Sequence, residues 1–261
     1  MAKSNLFLIA IILFISPLFV QAQIVKDGSF YFSWGYNTEW YTHSSINILQ
    51  PALNNNYTFD DVVAHDHKGW NQALFTKQLT IPQYNYRIGY FFNKAQDWGL
   101  ELNFDHAKYV LDSYENIHMT GTFRGRNIDT MVVSNPKNIG WELNNGANFL
   151  SLNLVRKIKI IESKNEKFRV DALLKAGAGP NIPHVQNTLF GVNSMPHFQF
   201  GGWNIDADCA LRATFFKHFY LELFDKGVYA RYWGLRIYDG IAKQNFACYE
   251  MALVAGGTFK L

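Results

Sequence analysis

Three groups of residues have types and spacings that could do chemistry. The first combines histidine, hydroxyl and acid: His43 and Ser45 form a His-x-Ser run, and Asp105 directly precedes His106. A serine hydroxyl becomes a nucleophile when a base takes its proton and an acid orients that base. Brought to one place, His43, Ser45, Asp105 and His106 would make a hydrolytic site. The second is His65-Asp66-His67, with Asp60 and Asp61 just upstream. Imidazole and carboxylate suit several divalent ions. Two imidazoles one residue apart also fit a solvated loop, and no metal is assigned to them. The third is a dispersed set of charges: Arg87, Glu101, Asp105, Arg169, Asp171, Lys175, Asp206, Asp208, Arg212, Glu222 and Glu250. No phosphate-cradling glycine loop, zinc-binding helix motif or nucleophile elbow occurs. Gly177-Ala178-Gly179-Pro180 reads as a turn. No cofactor is expected.

The dispersed charges gain meaning from the segments that carry them. Amphipathic helices are absent, and what recurs is period-2 alternation over about ten residues, the mark of barrel strands. Eight such segments are expected, at 29–37, 81–93, 99–111, 149–160, 167–178, 202–216, 219–232 and 245–261. The links at 94–98, 161–166 and 217–218 are short. Those at 38–80, 112–148, 179–201 and 233–244 are long. Short and long alternate, as the periplasmic turns and extracellular loops of an outer-membrane barrel do. Residues 57–65 look β-like and would raise the count to ten.

Parity then assigns faces. Tyr249, Met251, Leu253, Ala255, Gly257, Phe259 and Leu261 share one face of the last segment, and Glu250 lies on the other. Ile205, Ala207, Cys209, Leu211, Ala213 and Phe215 oppose Asp206, Asp208 and Arg212. Leu100, Leu102 and Phe104 oppose Glu101, Asn103 and Asp105. The apolar faces should meet lipid and the charged ones a lumen. A soluble sandwich would instead bury the apolar faces and put the charges in water. Arg156 falls on the lipid parity, near the periplasmic end, where a charge costs about 0–1 kcal/mol. Cys209 is assigned to lipid and Cys248 to the lumen, so no disulfide is expected.

Composition agrees with this layout. The 261 residues include 22 Phe, 14 Tyr and 7 Trp, while only 17% are charged, below the ~25% usual for soluble domains. A net charge of +3 argues against nucleic acid as a partner. Lys3, the apolar run from Leu6 to Val20 and the small Ala22 read as a secretory signal peptide over 1–22, leaving 23–261 as one barrel domain.

The terminal segment YEMALVAGGTFKL resembles the C-terminal signal by which barrels are recognised for insertion, with Phe259 third from the end. Residues 23–261 as a whole resemble the small Gram-negative outer-membrane β-barrel class. The resemblance implies an all-β, up-and-down antiparallel barrel in the outer membrane. Its implied partners are outer-membrane lipid, lipopolysaccharide and the barrel-assembly machinery. Size and layout are also similar to the lipid A deacylase and palmitoyltransferase barrels. The deacylase pattern is a late His-x-Ser followed by Asn-Gly and backed by Glu. Here His43-Ser44-Ser45 is early, and the nearest Asn-Gly is Asn145-Gly146. Three functions follow as expectations: a barrel with a charge-filled lumen and four long outer loops, a lipid-modifying enzyme, or a selective conduit. An eight-stranded barrel is just wide enough for side chains to fill it, which favours the first.

Overall fold

The computed structural model describes residues 28–69, 82–92, 95 and 97–260. The expected leader, residue 261 and the ends of the second segment at 81 and 93 lie outside the described residues. Alternating aromatic, aliphatic and polar residues set the described chain into strands. In chain order these are β1 (Ser29–Tyr41), β2 (Ser44–Gln50), β3 (Asn55–Val62), β4 (Ala64–Asp66), β5 (Tyr84–Phe91) and β6 (Trp98–His106). There follow β7 (Tyr109–Leu111), β8 (Asn116–Phe123), β9 (Arg126–Val133), β10 (Ile139–Leu143), β11 (Phe149–Glu162) and β12 (Phe168–Pro180). The rest are β13 (Gln186–Leu189), β14 (Val192–Ser194), β15 (Gly202–Phe215), β16 (Phe219–Ile237) and β17 (Gly240–Lys260). No described helix is long and apolar enough to cross a membrane, which says nothing of strands.

Hydrogen-bonded neighbours run β1-β5-β6-β11-β12-β15-β16-β17, and β17 pairs back onto β1, so this antiparallel sheet closes on itself. Among the described residues the ring passes through eight strands. Closure removes every edge, the condition under which strands can cross hydrocarbon. Outward go Phe30, Phe32, Ile88, Leu100, Leu102, Leu152, Leu154, Leu174, Ile205, Leu211, Leu221, Leu223 and Leu253, all exposed. Inward go the charges, almost all buried. The apolar band packs against no other part of the described chain, and a soluble sandwich is not what the chain forms.

Three charged side chains of the described ring sit on its outer face: Arg156, Asp225 and, toward the outer sheets, Arg231. Arg156 pairs with Asp97 and lies 4.9 Å from the Trp98 ring centre, at the end of the ring that carries the short turns. Asp225 faces out halfway along β16 and accepts a hydrogen bond from Tyr249 Oη. Cys209 is exposed and Cys248 buried, and both are free.

Three of the four expected long loops carry β-strands among their described residues. The far end of β17 continues past the ring to pair with β2, and the sheet runs on through β3, β8 and β9. A second sheet, ordered β14-β13-β10-β7-β4, stands opposite. Ile46, Ile48, Tyr57, Phe59, Ile117 and Met119 of the first share one buried apolar core with Tyr109, Leu111, Ile139, Trp141, Leu143 and Leu189 of the second. The β-like residues 57–65 fall in β3 and β4, outside the ring.

The fourth expected loop, 233–244, needs a different correction. β16 and β17 extend as one hairpin with only Tyr238 and Asp239 at its tip. A bulge between Tyr232 and Leu235 interrupts the ladder, with Gly234 at φ 63°. Inward-facing residues are even-numbered up to Tyr232 and odd-numbered from Leu235. That switch of parity erases the alternation a reader of the sequence would follow.

Candidate functional site

The lumen holds a continuous ion-pair network. Arg87 Nη1 lies 2.8 Å from Glu101 Oε1 and 3.4 Å from Asp208 Oδ2, and its Nη2 lies 3.6 Å from Asp105 Oδ1. Lys175 Nζ reaches Glu222 at 2.8 Å and Glu101 at 3.1 Å. Arg212 Nε donates to Glu222 at 2.6 Å. Lys226 Nζ binds Asp105 at 2.5 Å and Asp206 at 3.3 Å. Tyr31 Oη donates to Glu101, and Asn153 Nδ2 to Asp206. The cations also rest on rings: Arg87 is 3.9 Å from the Phe224 centre and Arg212 is 4.0 Å from that of Tyr220. The side chains of Arg87, Glu101, Asp105, Lys175, Asp208, Glu222 and Lys226 have no accessible surface. An unpaired charge there would cost several kcal/mol, so the network must be read as a unit.

Six carboxylates in this set (Glu101, Asp105, Asp206, Asp208, Glu222, Glu250) face four cations (Arg87, Lys175, Arg212, Lys226). Among the described residues, both oxygens of Glu250 lack a hydrogen-bond partner. Across the ladder Glu250 stands opposite Lys226 on one side and Glu39 on the other. Arg169 and Asp171 form their own pair at 2.6 Å toward the short-turn mouth, where Arg169 is half-buried.

Above the charges the lumen changes character. Tyr41, Tyr109, Tyr232 and Phe246 pack together, with Tyr109 stacked on Phe246 at 4.9 Å and Tyr41 edge-on to Phe246 at 5.3 Å. They join the apolar core of the outer sheets. A polar collar sits between the two zones. Glu39 accepts from Asn37 and Gln83, both at 2.5 Å. Asp66 Oδ2 accepts from Thr38 Oγ1 at 2.6 Å and from the Glu39 amide at 3.0 Å. Burial holds the Asp66 carboxyl above the usual carboxylate range, against the pull of those two donors. Burial likewise lowers Lys108, opposed by Asp66 and Glu39. The Tyr109 hydroxyl is pushed up to about 12 by burial.

The residues singled out for hydrolytic chemistry are not gathered. His43 Nδ1 is 3.0 Å from Asp61, and both are exposed. Ser45 Oγ donates to Asp60 at 3.4 Å. Asp105 is committed to Lys226 inside the ring. His106 Nδ1 contacts Asn148 Oδ1 at 2.8 Å, and its ring stacks on Tyr84. The His65-Asp66-His67 run is also divided: His65 pairs with Asp112, Asp66 caps β1, and His67 meets Asn144. Among the described residues no group of three or more His, Cys, Asp or Glu is placed to hold a metal ion.

Sequence reasoning missed three buried inward charges of the ring, Lys226, Glu39 and Lys157 of β11. Lys226 sits four residues after Glu222 on β16, so the same parity would have found it. Glu39 lies just beyond the expected end of the first segment, and only the longer β1 brings it inside.

No protein-family model matches the chain, and no curated protein matches it. Solved structures similar to it include Ail, the attachment invasion locus protein of Yersinia pestis, at 14% identity, TM-score 0.33, over 89% of this chain and 99% of that one. The outer membrane protein OprG of Pseudomonas aeruginosa is similar at 12% identity, TM-score 0.40, over 90% and 98%. The outer membrane protease OmpT of Escherichia coli is similar at 7% identity, TM-score 0.36, over 90% and 97%.

Proposed function

We propose that this chain is an outer-membrane protein whose barrel is a closed anchor and whose working part is the β-body that the barrel holds outside the cell. The single observation that carries this reading is the lumen: an ion-pair network with no accessible surface lies in series with an aromatic stack. Two plugs of opposite polarity leave no aqueous path, so passage of solutes is not what the ring supports. The apolar outer band suits hydrocarbon, and the outer-membrane lipid with its lipopolysaccharide is the proposed surround. The short turns then face the periplasm and the two outer sheets face the exterior. In planar bilayers at molar potassium chloride the purified full chain should stay electrically silent. Reproducible conductance steps at low voltage would overturn the reading.

A further inference from the structure

Four hairpin tips converge at the far end of the outer body and enclose a cleft of about 390 Å³. That volume falls in the range of small-molecule sites, roughly 300–1,000 Å³. Each tip bends through the left-handed region: Asn54 between β2 and β3 (φ 52°), Arg124 between β8 and β9 (φ 51°), Phe190 between β13 and β14 (φ 51°) and Asp239 between β16 and β17 (φ 50°). Such positions cost energy for residues with a Cβ and persist where surroundings hold them.

What holds them is visible. Gln50 Nε2 donates to the Tyr238 carbonyl at 2.7 Å. Asn55 Nδ2 donates to Gln50 Oε1 at 2.9 Å, and the Arg124 amide donates to Asn55 Oδ1 at 2.7 Å. The Gly125 amide bonds the Asn54 carbonyl at 2.9 Å. This chain of bonds ties three tips together. The fourth is tied by rings, with Phe123 and Phe190 4.4 Å apart and both within 6.0 Å of Tyr57. The side-chain amides of Gln50 and Asn55 thus serve the scaffold. The cleft is built before anything enters it, which lowers the ordering cost of binding.

Apart from the scaffold amides Gln50 and Asn55, its lining is apolar, with Leu53, Phe123, Phe190, Val192 and Tyr238, and carries one cation. Arg124 forms no ion pair among the described residues, and its guanidinium lies 5.2 Å from the Phe123 ring centre. An exposed fork of donors beside an apolar hollow is complementary to a small anion with an oily body. We propose that this cleft binds an amphipathic carboxylate, its aliphatic or aromatic body against Phe123, Phe190 and Val192 and its head on Arg124. The proposal rests on the reading that the outer body is the working part.

The test uses the full chain in lipid nanodiscs, titrated with octanoate, octan-1-ol and octylammonium by calorimetry, with empty nanodiscs as the blank. Octanoate should bind saturably, and the alcohol and the amine at least about tenfold more weakly, the loss expected when one charge-assisted contact is removed. Arg124→Gln should cost octanoate about the same factor. Val192→Trp, which fills the hollow from an exposed position, should abolish binding while heat-modifiable gel migration is unchanged. No saturable octanoate binding, or equal binding to wild type, Arg124→Gln and Val192→Trp, would overturn the proposal. In a barrel that stays silent in bilayers, either result sinks the cleft alone. Conductance steps would instead sink the closed-anchor reading.

Discussion

The ring and the outer body are built from the same kind of strand with opposite polarity. In the ring, Leu102, Leu211 and Leu253 point away from the molecule and Arg87, Lys175 and Glu222 point into it. A few residues farther along the same sheet, Ile46, Ile48 and Phe59 point in and Lys243 points out. β16 and β17 belong to both regions. Alternation alone therefore states only that two faces differ. Which face is inside depends on the solvent: hydrocarbon accepts leucine and rejects ions, and water does the reverse.

The sharpest way to break this contrast is to remove one cation from the lumen. Lys226→Met leaves Asp206 buried without its cation and Asp105 with only Arg87 at 3.6 Å, and the expected loss is about 3–5 kcal/mol. It would be read as a lower urea midpoint for the compact, fast-migrating gel band. An unchanged midpoint would mean that pairing does not hold the ring. Next comes one substitution made in both regions. Leu102→Arg, in the middle of the apolar band, should cost roughly 2–4 kcal/mol. Met131→Arg, exposed on β9, should change stability by no more than about 0.5 kcal/mol. Equal costs would erase the distinction between the two surroundings. Within the outer core, Ile48→Val should cost about 1 kcal/mol. Its signature is faster amide exchange in β2 and β3 with the ring strands still protected.

The smallest effect concerns the collar between the regions. The Asp66 carboxyl is held above its ordinary range by burial, so folding favours its protonated form. That contribution is present at acid pH and is lost as pH rises through the raised folded value. Asp66→Asn keeps an acceptor for Thr38 and should flatten this part of the pH profile. It should gain on wild type as pH rises from the ordinary carboxylate range toward neutrality. Urea midpoints measured across that interval check the sign; a gain that grows toward acid would contradict it.

The ring was legible because its strands are long. Eight or more residues of unbroken parity place Arg87, Glu101, Asp208 and Arg212 on one side without any structure. Of the outer body only residues 57–65 read as β-like, and the second sheet was not legible as strands, because β4, β7 and β14 have three residues each and β13 has four. Two apolar side chains cannot establish a period. Their pairing is decided by the core they share, not by local pattern. The bulge at Trp233 and Gly234 hid a hairpin for the opposite reason, since parity there is strong on both sides but shifted between them. His43 and Ser45 looked like partners by spacing. His43, just before β2, and Ser45 on it stand beside different acids, Asp61 and Asp60 of β3, and neither meets the other.

β17 is 21 residues long, which at 3.2–3.4 Å per residue makes a rod of roughly 70 Å. It runs unbroken from the short turns to the distal tip, bonded to β16 from Gly240 to Gly257 apart from the one bulge. A pull on the tip directed along this hairpin reaches the bilayer-embedded wall without crossing a linker. It loads the ladder in shear, so that many rungs share the force instead of opening one by one. Under such a pull the bulge at Trp233 and Gly234 is the weak rung, and the tether gives there first.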